Sequence, residues 1–401
     1  MNRILIFTGK GGVGKSSVAA AHAIKSAEDG MKTLLVSTDM AHNLSDIFEV
    51  PMEKEIVSVD EKLDLLEIDP NYVMENDYTD MMSSLLKLLP QTDGHSMEDF
   101  GMIPGMEELF SLLKIADLYH SNIYGRIVVD CAPTGETLSL LKFPELLSWY
   151  MEKLFPLGKV AMRVIAPVSK KMFQIELPNR QAMNDMERMF VKMMELQNLM
   201  KDREITSIRL VTVPEKMIVE ETKRNYMYMN LYNFNVDGIY INRILPANID
   251  NTFFHEWLAI QKKYIKELEE TFLALPIYRI PWYDEELKGR GAVSRIITDV
   301  LTDKKLFEAQ IITQREYFQK DKEGFTLLVS IPCADKKDID LYLSGTDVVI
   351  RIGNFKRNIP LPNTLRGSEI ELAKYEDDTL EIHFQKEAMT DEEHGGTGET
   401  Y

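Results

Sequence analysis

The chain holds only two cysteines in 401 residues, Cys131 and Cys333. They stand far apart and no CxxC occurs. A disulfide framework is excluded in practice, and a zinc clip built within one chain is not expected. Long apolar runs are missing too: none reaches the roughly 20 residues that cross a bilayer as a helix. Arg3 is the one charged residue ahead of the short Ile4–Phe7 run, and the glycine loop follows at once; a secretory leader needs a longer apolar region and a cleavage site, so none is expected. Positive charge is scarce, with 46 Lys and Arg against 64 Asp and Glu and a formal net charge of -18. Phosphate-backbone binding rests on clustered cations, so a nucleic-acid partner is disfavoured. These absences predict a protein of the cytosol, or of a cytosol-like compartment such as a plastid stroma, without stable membrane insertion.

What is present is an ordinary globular balance, 45% hydrophobic and 27% charged. The length exceeds what a single ordinary core needs. Apolar runs at Ile4–Phe7, Thr33–Ser37, Leu63–Ile68, Arg126–Asp130, Ile208–Val213, Gly238–Asn242 and Ile277–Ile280 alternate with helical stretches. Continuous rather than alternating apolar character suits strands buried on both faces. The predicted fold is therefore α/β, a doubly wound, mostly parallel sheet. It spans residues 1–305, with helical insertions at about 71–120 and 145–203. After Asp303 the pattern changes. A charged connector, Gln314 to Glu323, leads to short β-rich runs at Phe325–Ile331, Asp340–Leu343, Asp347–Ile352 and Thr379–Phe384. These predict a small β-sandwich over 324–386, followed by a disordered acidic tail over 387–401.

Gly9-Lys10-Gly11-Gly12-Val13-Gly14-Lys15-Ser16 fits the phosphate-loop pattern GxxxxGK[ST], between an apolar run and an Ala-rich helical stretch. Glycines let backbone N–H groups turn towards phosphate oxygens, and the following helix adds its positive end. The pattern predicts binding of ATP with Mg²⁺ by residues 9 to 16 together with Ser17. Lys15 is assigned to the β- and γ-phosphates and Ser16 to the metal. Lys10 marks the deviant form of the loop, in which two subunits face each other across their nucleotides.

Asp39 follows the second run and Asp130 ends a later one. Strand C-termini are where open α/β sheets bind ligands. Either aspartate alone fits a helix cap. Beside the loop, Asp130 reads as a second Mg²⁺ ligand, directly or through water, and Asp39 as the residue that orients or deprotonates the attacking water.

In order, GKGGVGKS, STDxAH (Ser37 to His42), Pro104 to Glu108, DCAPTGETL (Asp130 to Leu138), TVPE (Thr212 to Glu215) and INRILP (Ile241 to Pro246) resemble the arsenite-pump ATPase family. That family includes the targeting factor for tail-anchored membrane proteins. The resemblance covers residues 1 to about 300. It implies that Lys10 reaches the partner's phosphates, that Asp39 activates water, and that Asn242 contacts adenine. By the same resemblance, segments at Pro214 with Glu215 and at Pro281 lie around the base. The family's usual Pro and His are replaced by Met40 and Glu136, and its zinc CxxC and arsenite cysteines are absent. The C-terminal runs resemble the α-crystallin-like domain appended to some members.

Met183, Met186, Phe190, Met193 and Met200 form one stripe at helical spacing. Such a stripe serves either as buried core or as a groove for an apolar helix. His42 reads equally as a switch residue or as a structural histidine. Three functions stay open. The first is a homodimeric ATPase that chaperones or targets apolar helical segments, with a membrane receptor. The second is an ATPase that energises an anion transporter, and the third is a regulatory or partitioning ATPase of the wider class.

Overall fold

A computed structural model describes residues 2–39, 43–79, 106–131, 185–249, 251–311, 315–320, 324–365 and 367–385. The chain divides into two compact units, residues 1–167 with 171–313, and 168–170 with 314–401.

The first unit is built on an eight-stranded sheet. Its strands are β1 (Arg3–Thr8), β2 (Thr33–Ser37), β3 (Val57–Asp60), β4 (Leu63–Glu67), β5 (Arg126–Asp130), β6 (Thr206–Thr212), β7 (Val236–Ile244) and β8 (Ile277–Pro281). They lie in the order β3-β4-β2-β5-β1-β6-β7-β8, and β3 alone runs antiparallel, on β4. The apolar runs of the sequence are the parallel strands, and every residue of β1, β2, β4 and β6 is buried. The edge strand β3, half-buried and with no continuous apolar run, gave no such signal.

Helix α1 (Lys15–Glu28) follows β1 and packs small side chains on the sheet, Ala19, Ala20, Ala21 and Ala23 being fully buried. Next come α2 (Asn43–Phe48), α3 (Pro70–Asn76), α4 (Met106–His120), α5 (Asp185–Lys201), α6 (Lys216–Leu231), α7 (Thr252–Thr271) and α8 (Gly289–Asp299). The chain leaves β1 for β2, two places away, and later lays β6 on the opposite side of β1. The winding thus reverses at β1, where doubly wound sheets open a crevice. No described helix is long and apolar enough to cross a membrane.

A buried polar chain holds the end of this unit in place. Arg209 donates to Tyr240 Oη (3.2 Å) and to the Leu306 carbonyl, and Arg3 donates to the Phe307 carbonyl (2.9 Å). Asp237 balances both guanidinium groups, at 3.2 Å from Arg209 and 3.8 Å from Arg3. His22 meets Val18 O at 2.7 Å and Tyr240 Oη at 2.8 Å. Burial, aided by the Arg209 charge, holds His22 well below the usual imidazole range, so it is neutral. A carbonyl only accepts, so Nδ1 carries the proton and Nε2 accepts from Tyr240. Leu306 and Phe307 are 1% and 7% exposed. They belong to this core although they follow the expected boundary at 305.

The second unit is all β. One sheet runs β14 (Ile370–Glu376), β15 (Thr379–Gln385), β10 (Gly324–Ser330), β9 (Glu316–Lys320). The other runs β11 (Ile339–Ser344), β12 (Asp347–Ile352), β13 (Phe355–Pro360). All pairings are antiparallel. Leu327, Val329, Val348, Ile350 and Ile382 are fully buried. The charged connector proves to be partly strand. β9 pairs with β10 from Lys320 opposite Phe325 to Glu316 opposite Val329, and Glu316 meets the buried Arg357 at 3.3 Å. Its polar composition, EYFQK, suits an edge and hid it from an apolar-run search.

Candidate nucleotide site

Five neighbouring strands, β2-β5-β1-β6-β7, bring the expected site residues to one end of the sheet. Asp39 lies just past β2, Asp130 ends β5, the phosphate loop follows β1, Pro214 and Glu215 follow β6, and Asn242 stands near the end of β7.

The loop is held open by packing as well as composition. A Cβ on Gly9 would overlap the Val211 carbonyl, and one on Gly14 would overlap the Asn242 carboxamide. Gly12 and Gly14 take φ of 79° and 93°, a left-handed backbone natural to glycine. Around Gly11 and Gly12 nothing lies within 4 Å of a Cβ position. No side chain caps the N-terminus of α1, so its first N–H groups face the loop with the helix's positive end. Lys15 is buried (5% exposed) and curls back to the Lys10 carbonyl at 3.4 Å. Ser16 and Ser17 are half-buried on the first turn of α1. Lys10 points away from the loop, to Glu221 of α6 at 3.3 Å.

Asp130 is fully buried and aligned with Phe7 on one side and Ser37 on the other. Neither carboxylate oxygen has a hydrogen-bond partner of good geometry. Burial pushes this carboxyl up to about 6. The nearby Ser16 hydroxyl and Lys15 charge favour ionisation, and the Asp39 charge opposes it. A buried, under-satisfied carboxylate beside a serine hydroxyl is the donor set a hydrated Mg²⁺ takes, so these residues fit that ion. Asp39 is half-buried, and its backbone N–H meets Ser37 Oγ at 3.2 Å.

Asn242 is also engaged within the chain. Its Nδ2 donates to the Val13 carbonyl (2.8 Å) and its Oδ1 accepts from Arg243 N–H (2.8 Å). It braces the phosphate loop from β7. One amide hydrogen and one lone pair remain for a base. Pro214 is buried, and the exposed Glu215 opens α6 with no side-chain cap bond.

Two acidic residues that the sequence did not single out also shape the site. Glu67, ending β4, accepts from the backbone N–H of Leu44 at 2.9 Å and of Ser45 at 3.4 Å. It thereby anchors the start of α2, the helix after Asp39. Glu221 holds Lys10. Both depend on side chains from distant segments, which no local motif encodes. Met40, Ala41, His42, Pro104 and residues 132–184, with Glu136, lie outside the described residues.

Residues 2–302 match the family model described as anion-transporting ATPase, and residues 322–384 match an HSP20-like domain found in ArsA. A putative arsenical pump-driving ATPase of Aquifex aeolicus is 33% identical over 95% of this chain and 99% of its own. One from Chlorobaculum tepidum is 34% identical over 96% of each chain. An ATPase get3 of Pyrenophora tritici-repentis is 30% identical over 73% of this chain and 89% of its own.

Proposed function

Because the chain belongs to the anion-transporting ATPase family and is an ATPase carrying an HSP20-like domain, we propose that it works as a homodimer whose hydrolysis of Mg·ATP opens and closes a surface for apolar helical segments. The carrying observation is the division of labour between the two loop lysines. Lys15 already serves its own loop from a buried position, whereas the Lys10 side chain is 38% exposed at the rim. An ammonium there suits phosphates presented by a second copy, as an arginine finger does.

Bound Mg²⁺ would supply positive charge to the β- and γ-phosphates, with Ser16 and Asp130 holding it. The chain's own part is orientation. The loop N–H groups and Lys15 fix the phosphates, and Asn242 keeps the loop in shape. Asp39 accepts the proton of the water that attacks the γ-phosphorus as the bond to ADP breaks. The chain has no CxxC to clip two copies with zinc, so closure in this reading proceeds without that metal. The client surface belongs to the insertions, the ATPase part includes Leu306 and Phe307, and the β-rich part begins with β9.

Sedimentation with Mg²⁺ and a hydrolysis-resistant ATP analogue tests the dimer. Wild type should dimerise, and Lys10→Ala should dimerise more weakly. A wild type that stays monomeric rejects the reading. A pull-down with ATP-trapped protein tests the client class: enrichment of proteins with exposed apolar helices is expected, and none would reject it.

The printed names of the first two relatives favour a second reading, an ATPase energising an anion pump. A soft trivalent anion site wants clustered thiolates, and this chain supplies only Cys131 and Cys333. Stimulation of hydrolysis by arsenite or antimonite would revive it.

A further inference from the structure

We propose that Glu221 is the positioning residue of Lys10: it holds that ammonium within its own subunit until a second copy's nucleotide competes for it. The inference rests on the homodimer reading above. Three contacts build the juxtaposition. Gly9 abuts the Val211 carbonyl, which fixes the loop's entry against the end of β6. Thr222 Oγ1 donates to Thr212 Oγ1 at 2.9 Å, which ties α6 to the same strand one residue from Glu221. Val219, one turn earlier, is fully buried. Loop and helix are thus both referred to β6, and Lys10 Nζ meets Glu221 Oε2 at 3.3 Å with both side chains partly open to solvent, 38% and 26% exposed.

An ion pair of this exposure is weak enough to exchange. A phosphate chain carries more negative charge than one carboxylate, so a partner's triphosphate outcompetes Glu221 while an empty site does not. Glu221 therefore makes closure conditional on nucleotide in the facing subunit and sets its affinity.

Each closure breaks two such pairs, one per subunit. Removing the carboxylate in Glu221→Gln should tighten dimerisation in Mg²⁺ with a hydrolysis-resistant ATP analogue by about two- to thirtyfold, the range given by twice the strength of a half-exposed ion pair. The measurement is sedimentation equilibrium of the full chain, with a thermal melt to confirm folding. The gain should vanish in a Lys10→Met background, because the two residues act through one contact. A general effect of lost charge would survive there. If Glu221→Gln leaves the dimer constant unchanged or weakens it, or if the gain persists without Lys10, the proposal is wrong while the dimer stands. A wild type that never dimerises removes the dimer reading and this proposal together.

Discussion

At the scale of single residues, Asp130 shows that the site is not arranged for stability. Its carboxyl sits at about 6 against 3.8 when unperturbed, so the folded chain binds the proton more tightly than the unfolded one. Stability therefore falls as pH rises from about 4 to about 6, and the loss persists above. Asp130→Asn should raise the melting temperature of the nucleotide-free protein at pH 7, by an amount equivalent to at most roughly 3 kcal/mol. The gain should be much smaller at pH 4, and Mg²⁺-dependent hydrolysis should collapse. Melts at the two pH values decide this, and an unchanged or lowered midpoint at pH 7 contradicts it. Asp39→Asn should keep ATP bound but slow turnover by about 10²–10⁴, the usual cost of a lost general base. Single-turnover kinetics at wild-type speed would remove Asp39 from that role. Both aspartates were legible from their place after apolar runs. The burial that raises Asp130 was not, because it depends on β1 and β2 flanking β5 on both sides.

At the scale of elements, α5 decides between two uses of a methionine stripe. Met193 and Met200 are 6% and 7% exposed, beside the buried Leu196 and Leu199. These two methionines are core. The side chains of Met183, Met186 and Phe190 lie outside the described residues. Met193→Ser with Met200→Ser should cost a few kcal/mol each, from lost burial, a cavity and a buried hydroxyl. A large drop in melting temperature is expected, and a near-neutral double variant would return both residues to the surface. Helical periodicity fixed which residues share a face. Which neighbour that face meets depends on α4, far back in the chain, as well as on β6 that follows it.

At the scale of the whole molecule, the first unit runs on to 313 because Leu306 and Phe307 close its core. A chain ending at 313 should fold and hydrolyse ATP. One ending at 305 would lose two buried apolar side chains and two carbonyl acceptors of buried guanidinium groups. Breaking such a network costs several kcal/mol. Comparing the two truncations by melting temperature and ATPase rate tests the boundary, and equal stability would count against it. Composition changes at about 303, which is why the sequence suggested a boundary near 305.

The phosphate loop, the parallel strands and the appended β unit were determined locally: a glycine spacing, continuous apolar runs and short turn-bounded strands each state their own geometry. Tertiary structure alone decided what those pieces touch. Asn242 bonds Val13 across 229 positions of sequence, Glu221 takes Lys10, and Glu67 anchors α2. Polar β9 becomes a strand because β10 offers it an edge. The reason is physical. Periodicity and backbone preference act within a few residues, whereas a side chain's partner is set by strand order, and the order β2-β5-β1-β6-β7 brings together segments that no local pattern connects.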